Sequence, residues 1–316
     1  MTNGFSLIFS GQGSQKPQMG LSLFSGYQEA KEVFLEADAA LSIFLSKKMF
    51  TGTLEELSQT EITQPAILTY QIALLRVLQK RFSFSPKYCL GHSLGEYSAL
   101  VAAGVMSFTE ALKAVRFRGK VMQEASVKAG GAMAAILSLS PSLVEQACLS
   151  VSHDGNYVTV ANYNGPMQTV VSGTKKGVAK VANLCKGLGA KRVINLNVSV
   201  PFHSELMKKA SLEMISYLQC HEFLDAKFPV INNVDAKAHI SATMIKSNLL
   251  KQVMSSVKFT QSLEELLKRD ATLLLELGPL TILGPIAKRV SKKFNVWSYE
   301  RDGLPSLDRI LNGAES

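Results

Sequence analysis

The sequence predicts an α/β fold: a mostly parallel sheet flanked by helices, interrupted by an inserted β-α-β-β-α-β unit. Three observations lead there. Short apolar runs of strand length alternate with longer runs of helical period over most of the chain. The strand-like runs are continuously apolar, as expected of a parallel sheet covered on both faces. The stretch Tyr88-Cys89-Leu90-Gly91-His92-Ser93-Leu94-Gly95 sets a serine between two glycines where a strand-like run meets a helix-like one. That is the pattern of a nucleophile elbow.

From the N-terminus, Phe5–Phe9 reads as a buried strand that runs into the turn Ser10-Gly11-Gln12-Gly13-Ser14-Gln15. Helical patterns cover Glu29–Leu45 and Pro65–Gln79, and the elbow strand follows. Gly95–Ala103 forms the elbow helix, whose free N–H groups favour negative charge beside Ser93. Thr109–Glu124 is a further helix.

Between residues 130 and 198 the rhythm changes. Ala132–Leu137 is a strand, and Ser142–Val151 is a helix with Leu143, Val144, Ala147, Cys148 and Val151 on one side. Strands Tyr157–Asn162 and Gln168–Ser172 flank the turn Asn164-Gly165-Pro166. A helix over Lys175–Leu188 and a strand over Arg192–Asn197 complete a ferredoxin-like order. The expected division is therefore 1–128 with 199–316 as one domain, and 129–198 as an insert. Strands resume at Val230–Val234, Thr272–Leu277 and Asn295–Tyr299. The cleft between the two parts is the expected place for a site.

Composition narrows the class. The chain has 316 residues, 47% hydrophobic and 19% charged, as in an ordinary globular protein. Met1–Phe9 lacks a basic segment followed by a long apolar one, so no signal peptide is expected. The apolar run at Leu273-Leu274-Leu275 is broken by Glu276 and is too short for a bilayer. Cys89, Cys148, Cys185 and Cys220 have neither metal-ligand spacing nor the density of a disulfide framework. A reducing cytoplasm is the expected location, with no metal and no membrane. The formal charge is +9, from 34 basic and 25 acidic residues. Basic pairs at Lys175-Lys176, Lys191-Arg192 and Lys288-Arg289 read as solvated surface or a face for an acidic partner. No aromatic-interleaved basic stripe points to nucleic acid.

A serine hydroxyl needs a base, usually histidine. His92 adjoins Ser93 but points the other way in an extended segment, so it is expected to support the turn. His153, His221 and His239 read as surface residues. His203, in Ser199-Val200-Pro201-Phe202-His203-Ser204, stands where a strand gives way to a helix, and is either the base or a core or capping residue. On the helix after the elbow, Arg118 lies on the apolar face with Ala114, Val115, Val121 and Met122, whereas Arg116 lies on the wet side. A buried arginine must be paired. Arg118 is either an internal salt bridge or a two-point grip for a substrate carboxylate.

Taken together, these motifs resemble the malonyl-CoA:acyl carrier protein transacylase family over nearly the whole chain. The resemblance rests on Phe9–Gln15, Thr63-Gln64-Pro65-Ala66, Gly91–Glu96, Arg116-Phe117-Arg118-Gly119, Gly131-Ala132-Met133 and Asn162-Tyr163-Asn164. It continues in Val200-Pro201-Phe202-His203, Asn232-Asn233-Val234 and Gly278-Pro279. It implies an α/β-hydrolase-like domain with an inserted ferredoxin-like subdomain. It implies that Ser93 carries the malonyl group, and that His203 is the base and then the acid for the leaving thiolate. Gln12 and Leu94 would give the main-chain oxyanion hole, and Arg118 would hold the free carboxylate. Gln64, Met133 and Asn162 would contact substrate, and Gln252 would orient His203 through a carbonyl oxygen. Phe202 would exclude an α-methyl branch.

The same resemblance implies no bound cofactor, with malonyl-CoA and the phosphopantetheine of an acidic acyl carrier protein as substrates, and a monomer. The rivals are a serine hydrolase or thioesterase, a polyketide-type acyltransferase for another extender unit, and a non-catalytic carrier-protein binder.

Overall fold

The structure, a computed structural model, describes residues 4–153, 156–198 and 200–312. The expectations touching Met1–Asn3, Ser199 and the side chain of His153 lie outside the described residues. In chain order the elements are β1 (Ser6–Phe9), α1 (Leu21–Gly26), α2 (Gln28–Leu41), α3 (Leu45–Thr51), α4 (Leu54–Leu57), α5 (Thr60–Arg81), β2 (Tyr88–Gly91), α6 (Gly95–Ala102) and α7 (Phe108–Ala129). Then come β3 (Gly131–Leu137), α8 (Pro141–His153), β4 (Val158–Gly165), β5 (Gln168–Thr174), α9 (Lys175–Gly187) and β6 (Arg192–Asn195). The chain closes with α10 (Lys208–Gln219), β7 (Val230–Ile231), β8 (Ala238–His239), α11 (Ala242–Lys251), α12 (Phe259–Lys268), β9 (Leu273–Leu277), α13 (Leu283–Val290), β10 (Asn295–Ser298) and α14 (Tyr299–Asn312).

A six-stranded sheet in the order β10-β9-β1-β2-β7-β8 is parallel apart from the edge pair β7–β8. Period-two alternation divides its side chains between two cores. Leu7, Phe9, Leu275 and Trp297 pack on one face beneath α2, α5, α6, α7 and α10. Ile8, Leu90, Leu274 and Val296 pack on the other against α12 and α13. Burial on both faces is why these strands are apolar without alternation.

A second, antiparallel sheet has the order β4-β5-β3-β6. Its Ala134, Ile136, Val158 and Val171 pack under α8 and α9. The opposite face, with Met133, Ala135, Ala161 and Val170, packs against Phe202. β4 is tied back to the larger part by a bridge between Asn162 and Val257, with Val257 N–H donating to Ala161 and Tyr163 N–H to Val257.

Several boundaries differ from expectation. The helix expected over Glu29–Leu45 stops at Leu41, because Ser42 turns left-handed (φ 52°) and its N–H closes back on Ala39. A separate helix then starts at Leu45. Pro65 was expected to open its helix but lies inside α5, which begins at Thr60. Proline removes one hydrogen bond and strains an interior turn, and a helix buried along most of its length offsets that cost. β4 extends to Gly165 through two register shifts, so the hairpin turn is Pro166-Met167. β6 stops at Asn195 and β7 at Ile231.

Candidate active site

β1, β2 and β7 are adjacent and parallel, so the turns that leave their C-terminal ends meet on one edge of the sheet. Ligands in open α/β sheets usually bind at that edge. The turn after β1 is braced from within. Ser10 Oγ donates to Ser14 Oγ, and Ser14 Oγ donates to the Gly11 carbonyl. Gln71, buried in α5, donates to the Ser10 and Leu277 carbonyls.

The turn after β2 is sharper. Ser93 has φ 53°, in the left-handed region that non-glycine residues rarely occupy. Both flanking glycines are required by space. A Cβ on Gly91 would lie 1.9 Å from the Gly95 carbonyl carbon, and one on Gly95 would lie 2.1 Å from the Phe9 oxygen. Asn233, after β7, holds the turn by accepting the Ser93 N–H at 2.8 Å and donating to the Gly91 carbonyl at 2.6 Å.

The reactive groups converge on one oxygen. Ser93 Oγ lies 2.8 Å from His203 Nε2 and 3.0 Å from Arg118 Nη2. His203 Nδ1 lies 3.0 Å from the main-chain carbonyls of both Gln252 and Ser255. Two acceptors facing Nδ1 put the ring proton there and leave the Nε2 lone pair toward the serine. Burial, and then the charge of Arg118, push the His203 pKa down to about 3, so the ring is neutral.

Arg118 is buried at 2% exposure and has only neutral oxygen partners. Nη1 donates to Gln64 Oε1 at 2.9 Å and Nη2 to Gln252 Oε1 at 3.1 Å. Its guanidinium lies 5.8 Å from the centre of the Tyr97 ring. Its Nε has no partner among the described residues. Among the described residues, the internal salt bridge allowed by the helical wheel is therefore not formed. Desolvation pulls the guanidinium pKa down, which is the cost of a buried cation without a counter-ion in contact. The wet-side Arg116 is tied instead to Glu61 and the Leu41 carbonyl.

A cavity of 420 Å³ opens over these groups. Gln12, Gln64, Ser93, Leu94, Arg118, Met133, Asn162, Phe202 and His203 all line it. Gln252 is buried behind the wall and reaches the site through its carbonyl on His203 and its side chain on Arg118. The main-chain N–H groups of Gln12 and Leu94 make no hydrogen bond among the described residues. Leu94 follows the serine directly in the chain, and both residues border the same cavity as Ser93.

The other histidines lie elsewhere or play other parts. His92 shares a 2.8 Å hydrogen bond with Asn164 and meets Phe259 edge-on, although it also borders the cavity. His221 and His239 were expected on the surface but are half-buried, one stacked on Tyr217 and the other paired with Asp235. Sequence reasoning missed three contributors: Asn233 on the elbow, Ser255 on His203, and the buried carboxylate of Glu96. Asn233 carried a weak signal as part of Asn232-Asn233, but spacing does not say where an amide points. Among the described residues there is no cluster of His, Cys, Asp and Glu able to hold a metal, and no helix long and apolar enough to cross a membrane.

Residues 6–299 match the family model described as acyl transferase domain. A malonyl CoA-acyl carrier protein transacylase of Bacillus subtilis (strain 168) is 44% identical over 288 residues, covering 91% of this chain and 90% of that protein. The structure superposes on an acyl carrier protein S-malonyltransferase from Vibrio cholerae with a TM-score of 0.92 at 40% identity, covering 97% of this chain and 99% of that one. It also matches a malonyl-transacylase solved with its type II PKS acyl-carrier protein, with a TM-score of 0.93 at 38% identity and coverage of 98% and 99%.

Proposed function

The chain belongs to the acyl transferase domain family, and from that premise we propose that it moves a malonyl group from malonyl-CoA to the phosphopantetheine thiol of acyl carrier protein, supplying fatty-acid synthesis. It is an [acyl-carrier-protein] S-malonyltransferase. One observation carries the reading: a serine oxygen touches both a neutral imidazole and a buried guanidinium that has no carboxylate in contact. A base beside a nucleophile suits any acyl transfer, but the unpaired cation selects an acyl chain with its own negative charge.

The steps follow from the groups present. Ser93 Oγ attacks the thioester carbonyl while His203 Nε2 takes its proton. Charge develops on the carbonyl oxygen toward the N–H groups of Gln12 and Leu94. The tetrahedral intermediate expels the CoA thiolate, and His203 returns the proton to it. The carrier thiol then repeats the sequence in reverse on the malonyl ester. Arg118 binds the free carboxylate, and that negative charge opposes the guanidinium's part in lowering the His203 pKa, the larger part coming from burial. Gln64, Met133 and Asn162 border the acyl group. Phe202 narrows the same wall against an α-methyl branch, a discrimination limited to about 1–3 kcal/mol. Gln252 keeps the imidazole in one tautomer, in place of the acid of a usual triad.

The larger sheet with its helices is read as an α/β-hydrolase-like domain, residues 1–128 with 199–316, and residues 129–198 as a ferredoxin-like insert. The order β6-β3-β5-β4 supports the second name. The net charge of +9 suits an acidic carrier, with steering toward it screened by salt. A cytoplasmic monomer without nucleic-acid or membrane partners is the corresponding setting.

The competing outcome is water as acceptor. Enzyme loaded with malonyl-CoA and freed of excess substrate is expected to hold its acyl group until holo carrier protein is added, and then to lose it within the mixing time. Loss at the same rate without carrier would make the protein a hydrolase.

A further inference from the structure

Glu96, the second residue of α6, is fully buried and takes no part in the mechanism above. Its Oε1 accepts from Asn232 Nδ2 at 2.6 Å. Its Oε2 accepts from the Asn233 N–H at 3.2 Å and from Gln252 Nε2 at 2.7 Å. Gln252 Nε2 also donates to the Ser93 carbonyl at 2.9 Å, and Gln252 Oε1 accepts from Arg118. A carboxylate and a guanidinium thus sit at opposite ends of one amide, out of contact with each other.

The two ends of an amide differ, so this arrangement has a polarity. A carboxylate only accepts, which forces the NH₂ end of Gln252 toward Glu96 and leaves the oxygen for Arg118. A reversed amide would set its NH₂ against the guanidinium donors and lose both bonds. The same residue offers its main-chain carbonyl to His203. Asn233, held through its N–H by Glu96, grips the Ser93 turn. We propose that Glu96 is a positioning residue which, through the Gln252 amide, sets Arg118 and His203 relative to Ser93. Burial pushes the Glu96 carboxyl up, while its three donors and the charge of Arg118 pull it back. A buried carboxylate is a costly choice for a purely structural position.

The inference rests on Ser93 being the malonyl acceptor. Its test is single-turnover acylation by malonyl-CoA and by acetyl-CoA, with thermal unfolding alongside, for Glu96→Gln, Gln252→Met and the double variant. Glu96→Gln keeps the volume. Asn232 Oδ1 has no partner in the structure, so a flip of that amide receives the new NH₂ and the variant is expected to fold. Malonyl acylation should fall about tenfold in Glu96→Gln, and the malonyl-to-acetyl ratio by roughly threefold or more, because a neutral amide oxygen holds the Gln252 NH₂ less firmly than a carboxylate and so fixes the partner of Arg118 less firmly. Gln252→Met should reproduce the fall in ratio, and the double variant should add nothing further, as for two residues acting through one link.

Unchanged rates would overturn the proposal. So would malonyl and acetyl rates falling by the same factor, or losses that multiply in the double variant. If Glu96→Gln does not fold, Gln252→Met decides, and an unchanged ratio there overturns the proposal. The absence of malonyl-Ser93 in the unsubstituted enzyme would instead strike the functional reading.

Discussion

Ser93 and His203 share a backbone conformation that neither residue type favours, with φ 53° and 55°. Strain of this kind persists only where the surroundings over-determine it. At Ser93 the surroundings are two glycines and Asn233; at His203 they are the Gln252 and Ser255 carbonyls that fix its ring. The electrostatics of the pair make a prediction. With its pKa pushed down to about 3, His203 stays unprotonated far below the ordinary imidazole value of about 6.5. The kcat/KM for malonyl-CoA, which reports the free enzyme, should stay level from about pH 8 to pH 5. An acid limb centred near 6.5 would contradict the geometry. The stability link has a definite sign. Between about 3 and 6.5 the unfolded chain binds the extra proton, so this contribution is complete above 6.5 and is lost as pH falls toward 3. Ser93 was legible in the sequence because strand, turn and helix are local patterns. His203 and Arg118 were legible as pairs of alternatives, decided only by their neighbours in space. Glu96, Asn233 and Ser255 were not legible, because their roles depend on partners that a tertiary contact alone supplies.

Among the elements, the β2–α6 connection bears the most constraint. Gly95 packs against the end of β1, where a Cβ would meet the Phe9 and Ser10 carbonyl oxygens at 2.1 and 2.9 Å. Main-chain atoms in a buried parallel strand have little freedom to yield. Gly95→Ala should therefore cost about 3 kcal/mol or more and lower the Tm by several degrees. Gly187, with nothing within 4 Å of its Cβ position, is the control and should tolerate alanine. Equal melting temperatures for the two variants would show that the elbow is not close-packed. The strands most evident in the sequence, β1, β2 and β9, are those buried on both faces. β7 was legible, though shorter than the expected Val230–Val234, whereas β8, of two residues, is too short to carry a pattern. The start of α5 was hidden because proline commonly opens helices, and only packing shows that this helix runs through it.

In the whole molecule, function depends on two sheets sharing one cavity. The large sheet carries Gln12, Ser93 and Leu94 on the turns at its carboxyl edge, and His203 comes from the segment between β6 and α10. The small sheet closes the wall with Met133 and Asn162, and Phe202 packs between them. The alternation of strands and helices announced the first sheet, and the β-α-β-β-α-β order announced the second. How they face each other depends on contacts such as Asn162 with Val257, which no periodicity encodes. The account stands on a malonyl ester at Ser93, seen by intact mass after mixing with malonyl-CoA and by mapping the modified peptide. One malonyl adduct on the peptide that contains Ser93, absent in Ser93→Ala, is the predicted result. No adduct, or the same adduct in Ser93→Ala, would contradict it.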